Sequence, residues 1–213
     1  MAEWTLDRTV LVDGVAIDII KEPIGISLSG GADSSLLLYI LMSNHPGPIH
    51  AFTCVSAQKF RTAAKVSQAV IQRCIELTGN DGVVHHLWYV DRQDNTKLIP
   101  PQLEYLHSGF YNLRYIGITA NPPEEVCATF SDATTETHER DPRIARTVHP
   151  GKHTHSPFTN IDKRRIAGMY RELGLLEDLF PVTRSCESVT QSEGHCGTCW
   201  WCQERQWGFG RLV

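Results

Sequence analysis

The sequence predicts an α/β fold built on a doubly wound, mainly parallel sheet, with a metal-binding segment at the C-terminal end. Three observations predict it. Strand-like and helix-like segments alternate from Ile24 to Val90, a glycine-rich loop joins the first of those strands to the first helix, and four of the seven cysteines crowd into the last 28 residues. Strand–helix–strand alternation implies parallel pairing through right-handed crossovers.

Residues 9–20 read as two short strands around Asp13-Gly14, a dipeptide that favours a tight hairpin between β-branched runs. Ile24 to Leu28 is a strand, Ser29 to Ser35 a tight loop, and Leu36 to Ser43 an apolar helix closed by the breakers from Asn44 to Pro48. Ile49 to Val55 reads as a strand. Phe60 to Thr78 is an amphipathic helix, with Ala64, Val66, Ala69, Val70 and Ile75 near helical spacing and Gly79 as its stop. Val83 to Val90 and Leu113 to Thr119 are further strands, the latter ending before Pro122-Pro123. Residues 129–157 are rich in Thr, Asp, Glu and His and are expected to form a polar loop or lid. A helix follows from Asp162 to Leu173, with Asn160 as its expected N-cap and Gly174 as its stop. The expected domains are a nucleotide-binding unit over 1–183 and a metal-binding segment over 184–213.

Composition narrows the class. The 213 residues carry 20 Lys+Arg against 24 Asp+Glu, a net charge of −4 that gives no reason to expect general nucleic-acid binding. The longest apolar run, Leu36 to Met42, has seven residues, whereas a membrane span needs roughly 20. An odd cysteine count and an N-terminus without a signal-like pattern place the protein in a reducing cytoplasm, where clustered cysteines read as metal ligands before disulfides.

The loop carries the first chemical signal. A helix start after a strand offers unpaired backbone N–H groups and the positive end of the helix dipole to an anion. Gly30 and Gly31 let the backbone turn tightly, and Ser29 and Ser34 add hydroxyls. Asp33 would repel a phosphate, so its expected work is to hold a phosphate-bridging Mg²⁺. The string ends without Gly-Lys-Ser/Thr and is not Gly-x-Gly-x-x-Gly, which excludes the two commonest phosphate loops. The second signal is Cys186-x9-Cys196-x2-Cys199-x2-Cys202. Four soft ligands suit a closed tetrahedral Zn²⁺ site of structural role, and an iron–sulfur cluster is the alternative.

Ser29-Gly30-Gly31-Ala32-Asp33-Ser34 closely resembles the Ser-Gly-Gly-x-Asp-Ser signature of the PP-loop ATP pyrophosphatases, which split ATP between its α and β phosphates. The C-terminal run Ser185-Cys186, then His195-Cys196-Gly197-Thr198-Cys199-Trp200-Trp201-Cys202-Gln203-Glu204-Arg205, resembles the 7-cyano-7-deazaguanine synthase family. So does the segment Ser156 to Lys163 followed by a helix ending at Gly174. The resemblance implies a Rossmann-like sheet of the adenine nucleotide alpha hydrolase type, with ATP, Mg²⁺ and Zn²⁺ as cofactors. It implies nucleotide binding by Leu28, Ser29, Gly30, Gly31, Ala32, Asp33, Ser34 and Ser35, and catalytic roles for Asp33 and Ser34. It also implies zinc at Cys186, Cys196, Cys199 and Cys202, and makes Arg114 and Lys163 candidates for phosphate or substrate contact.

The activity so implied is adenylation of a carboxylate, followed by amidation with ammonia and dehydration to a nitrile, the carboxylate being 7-carboxy-7-deazaguanine. Its partners are small molecules, with room for a homodimer and no membrane. Other PP-loop reactions, such as adenylyl-sulfate reduction or RNA base thiolation, stay open, as does transfer of the activated base to a macromolecular amine; the intact Asp33, Ser29 and Ser34 count against a non-catalytic nucleotide-binding module. Among lesser candidates, Arg205 is expected to touch phosphate or a substrate carboxylate, or instead to brace the cysteine segment, and His85 and His86 to face opposite sides of a strand. His138, His149, His153 and His155 are expected to be solvated, and Cys127 to be a small buried residue near a strand end.

Overall fold

The computed structural model describes residues 3–56, 61–90, 100–131, 153–186 and 194–213. An N-terminal hairpin, β1 (Leu6–Val12) and β2 (Val15–Ile20), turns at Asp13-Gly14 with both residues at positive φ. The following strands are β3 (Ile24–Ser27), β4 (Ile49–Ser56), β5 (Val83–Val90), β6 (Leu113–Ile116) and β7 (Thr154–His155). They form one parallel sheet in the order β5-β4-β3-β6-β7. The chain runs outward from β3 in both directions, so the topological switch lies at the carboxyl end of β3, where open α/β sheets bind ligands.

The helices are α1 (Ala32–Asn44), α2 (Ala63–Thr78), α3 (Pro100–His107), α4 (Glu124–Cys127), α5 (Lys163–Glu172) and α6 (Trp200–Phe209). Helix α1 is buried on most of its surface, as its unbroken apolar run requires, and shares one core with Ile17, Ile19, Ile24, Ile26, Met169 and Phe180. Helix α2 buries one face and stops at Gly79, which adopts the left-handed conformation. The hairpin is tied to the sheet where Tyr115 Oη donates to Asp18 O (2.7 Å) and Asp18 N donates to His155 Nε2 (3.1 Å).

Several expectations are corrected. Helix α1 begins at Ala32, four residues before the apolar run, because Gly31 already takes the capping position and the backbone N–H of Ser35 donates to Gly31 O. Helix α2 begins at Ala63; Phe60 lies outside the described residues. Strand β6 ends at Ile116. The N-cap of α5 is Asp162, whose carboxylate accepts from the backbone N–H groups of Arg164 and Arg165, and not Asn160. Most of the polar stretch 129–157, with His138 and His149, lies outside the described residues. Its C-terminal end is not solvated: Thr154 and His155 pair with β6 and His155 is buried. Both ring nitrogens of His153 are buried as well. Cys127 is buried, but in α4, where its thiol donates to Pro122 O (3.3 Å). No helix among the described residues is long and apolar enough to cross a membrane.

Candidate active site and metal centre

The Ser29–Ser35 loop leaves the carboxyl end of β3 and enters α1. Leu28 is fixed from both sides, its N–H donating to Phe52 O (2.8 Å) and its carbonyl accepting from Thr53 Oγ1 (2.8 Å). The hydroxyls of Ser29 and Ser34 lie 3.1 Å apart, and Ser29 Oγ accepts from Gly31 N (3.2 Å). Ser35 Oγ donates to Gly31 O (2.8 Å). Gly30 sits at φ +81, with Val66 where a Cβ would go. The N-cap of α1 makes no side-chain hydrogen bond. The start of α1 therefore remains dressed by short hydroxyls and backbone, the arrangement that receives an anion.

On one side of the loop lies a polar cavity of about 180 Å³ lined by Ser29, Gly31, Asp33, Lys163, Arg184 and Trp201, among others. Lys163 Nζ donates to Asp33 Oδ2 and lies 3.5 Å from Glu204 Oε2. Asp33 Oδ1 is buried and has no hydrogen-bond partner among the described residues. A carboxylate oxygen left open beside a phosphate-type loop fits a Mg²⁺ ligand. The loop is anchored from behind by Arg184 N donating to Gly30 O (2.9 Å) and Tyr170 Oη donating to Ala32 O (2.9 Å).

On the other side lies a cavity of about 310 Å³ lined by Ser29, Ser34, Phe52, Trp88, Gln102 and Arg114, among others. Gly117 closes it against α1: a Cβ there would stand 2.9 Å from Ser34 N. Arg114 is only 8% exposed. Its Nη2 donates to Thr154 Oγ1 (3.2 Å), while Nε and Nη1 have no hydrogen-bond partner among the described residues. Burial lowers its pKa, with Tyr111 acting in the opposite direction. The structure thus brings Lys163 to Asp33 and sets Arg114 across the loop from both.

The four clustered cysteines converge, their sulfurs all within 4.8 Å of one another. A tetrahedral ion bound at ~2.3 Å needs sulfurs about 3.8 Å apart, and those of Cys196 and Cys202 are 3.9 Å apart. The backbone N–H of Cys199 donates to Cys196 Sγ (3.3 Å) and that of Cys196 points to Cys186 Sγ (3.4 Å), as thiolate ligands accept. The set fits one metal ion. Arg205 does brace this segment. It is fully buried, stacks on Phe180 at 3.8 Å, and donates to Leu212 O (2.7 Å), Thr183 Oγ1 (2.9 Å) and Phe180 O (3.1 Å). Burial lowers its pKa to about 10 despite nearby Tyr170, Asp33 and Cys202. Tyr170, Phe180 and Phe209 form one aromatic cluster across the boundary at 183/184.

Sequence reasoning missed Glu204, Arg184, Gly117 and the Trp88–Gln102 wall. Nothing local to Glu204 marks it as a core residue; only the fold shows it to be 1% exposed. His85 and His86 do face opposite sides. His85 Nε2 lies 3.0 Å from Thr53 Oγ1, whereas His86 stacks on Phe52.

The asparagine synthase family model matches residues 8–117, and that of the queuosine biosynthesis protein QueC matches residues 118–213. No curated protein sequence matches the chain. Among solved structures, it is similar to the U34-tRNA thiolase NcsA from Methanococcus maripaludis with its 4Fe-4S cluster, at 13% identity and a TM-score of 0.45, over 73% of this chain and 58% of that one. It is also similar to NMN synthetase from Francisella tularensis, at 14% identity and a TM-score of 0.45, over 89% of this chain and 78% of that one. The chain therefore spans little more than half of the thiolase's length. With the Ser29–Ser35 loop inside a match that takes in more than half of its length, the chain belongs to the asparagine synthase family, within the PP-loop superfamily, and carries a QueC-like C-terminal part.

Proposed function

We propose that the protein splits ATP into AMP and pyrophosphate and adenylates the carboxylate of 7-carboxy-7-deazaguanine, on the way to the nitrile. The observation that carries this reading is the placement of the loop between two unlike cavities. The polar one holds Asp33 and Lys163 and suits a departing pyrophosphate; the aromatic one, walled by Phe52 and Trp88, suits a planar base. The α-phosphate then lies over Ser29 and Ser34, between a leaving group on one side and a heterocycle on the other. The QueC match over 118–213 supports the choice of acceptor.

A carboxylate is a poor electrophile, and an adenylate makes its oxygen a leaving group. The carboxylate oxygen attacks the α-phosphorus and pyrophosphate departs. Ammonia then adds to the acyl carbon, losing one proton, and AMP leaves an amide. Adenylation of the amide oxygen by a second ATP, with loss of that oxygen on AMP and of two protons, gives the nitrile. Lys163 stands to meet negative charge on the pyrophosphate, and the serine hydroxyls and α1 N–H groups to meet it on the α-phosphate. A Mg²⁺ held by Asp33 supplies further charge neutralisation. Cys186, Cys196, Cys199 and Cys202 would hold Zn²⁺, and four thiolates would leave it no open position, so its role would be structural. In this reading residues 1–183 are the nucleotide unit and 184–213 the zinc segment. The test is incubation with ATP, Mg²⁺, ammonia and 7-carboxy-7-deazaguanine. AMP, pyrophosphate and a product of nitrile mass are expected. ADP would overturn the ATP chemistry, whereas AMP without conversion of this acid would overturn the acceptor alone.

A further inference from the structure

We propose that Glu204 is a positioning residue for the cation of the ATP site, sharing Lys163 with Asp33 so that Asp33 stays available to Mg²⁺. This rests on the ATP reading above. Glu204 lies in the C-terminal helix α6, two residues after Cys202, yet it is buried to 1% exposure and its Oε2 lies 3.5 Å from Lys163 Nζ. The Lys163 side chain is itself almost wholly buried. Its ammonium thus stands between two carboxylates from opposite ends of the chain, Asp33 on α1 and Glu204 on α6.

The charge balance shows why the second carboxylate matters. Arg184 lines the same cavity as Asp33 and Lys163. Without Glu204, Asp33 would be the sole carboxylate paired with the buried Lys163 ammonium among the described residues. A divalent cation would then have to displace a fully committed ammonium in a positively charged surround. With Glu204 present, two carboxylates share the Lys163 ammonium. Lys163 keeps an anionic partner when Asp33 turns to a metal, and Asp33 Oδ1 is already without a partner among the described residues. Lys163 is also held inside the cavity, where a phosphate would meet it. The cysteine segment therefore contributes a charge to the ATP site as well as a fold.

The test is a Mg²⁺ titration of inorganic pyrophosphate binding by calorimetry, with the melting temperature of each variant recorded. Glu204→Gln keeps the shape and removes the charge. It should raise the Mg²⁺ needed for half-saturation by about tenfold, the scale on which one charge a few ångströms away acts. Glu204→Asp, which keeps the charge, should stay near the wild type. An unchanged requirement in Glu204→Gln, or equal defects in the two variants, would overturn the proposal. If Glu204→Gln does not fold, the double variant Lys163→Met/Glu204→Leu decides, since replacing a buried pair by apolar groups is often tolerated. Its net charge is that of the wild type, so its Mg²⁺ requirement should be near normal although pyrophosphate binds more weakly. A Mg²⁺ requirement about tenfold lower would mean that only Lys163 mattered, and would overturn the role of Glu204. A wild-type protein that binds neither Mg²⁺-pyrophosphate nor Mg²⁺-ATP would instead refute the ATP site itself.

Discussion

Lys163 Nζ, at the start of α5, donates a hydrogen bond to Asp33 Oδ2 in the first turn of α1, joining residues 130 positions apart. The contact places a cation and an anion side by side under the phosphate loop. It also leaves the second Asp33 oxygen buried and without a hydrogen-bond partner among the described residues.

Asp33→Ala should lower ATP turnover on the order of 10²–10³-fold, the usual effect of removing one group that stabilises transition-state charge. The fold should persist, because Lys163 retains Glu204 and the Asp33 side chain is still 16% exposed. Circular dichroism and AMP release measured on one preparation check both halves. Full activity in the variant would refute the assigned role.

The protein should carry about one Zn²⁺ per chain on its four cysteines, since metal binding in such knuckles contributes folding free energy directly. Cys199 stands at the N-cap position of α6 without a side-chain cap bond, so it is the loss of its metal ligand in Cys199→Ser that should disturb the helix that bears Glu204 and Arg205. Poor solubility should come before altered kinetics. Elemental analysis decides the metal, and iron with labile sulfide in place of zinc would reject this assignment.

The parts of the fold that were legible in the sequence are those whose local signal and tertiary role agree. Strand β5 has the bounds that its β-branched and aromatic residues give, and the Asp13-Gly14 turn joins two strands as its dipeptide requires. Strand β7 was not legible. Two residues have no periodicity, and Thr154 and His155 form a strand only because β6 offers an edge. Helix α3 begins with two prolines, and Leu103 and Leu106 find their partners in Phe52 and Tyr111 only after folding. In the site, the loop and the cysteines announced themselves by spacing, which is local. The Asp33–Lys163–Glu204 group is an encounter of three distant segments, and a buried glutamate reads in sequence like an exposed one.

Stability should fall as the pH drops through the histidine range. His50, His85 and His86 all have pKa values lowered by burial, with His86 adding to the effect on the other two. An unfolded imidazole titrates near pH 6.5. Between that value and the lower folded ones, the unfolded chain binds more protons, so the stabilisation is full above about pH 6.5 and is lost below it. The melting temperature should therefore fall from about pH 7.5 to about pH 5.5, by roughly 2–4 °C for each kcal/mol lost. His86→Phe, which can retain the stacking on Phe52, should flatten that slope and so separate it from thiolate protonation at the cysteine site. A midpoint equal or higher at the lower pH would contradict this.

Arg114→Met should weaken ligand binding while leaving stability unchanged or raising it. Arg114 is buried in β6 with one hydrogen bond, to Thr154, and two donors without partners among the described residues. A buried cation in that condition carries a desolvation penalty of several kcal/mol that one hydrogen bond does not offset. Methionine fills similar space along the cavity wall without that penalty. These N–H groups, without partners among the described residues, fit a ligand that accepts from them, a carbonyl, ring nitrogen or carboxylate entering the cavity beside Phe52 and Trp88. Losing a charged hydrogen-bond donor should weaken binding by about ten- to a hundredfold, since such bonds contribute ≈ 1.5–3 kcal/mol. Calorimetry with ATP and, separately, with 7-carboxy-7-deazaguanine shows which ligand Arg114 reads, because only that one should lose affinity. A drop in melting temperature with both affinities intact would make Arg114 a structural residue, paired in the native state with groups outside the described residues.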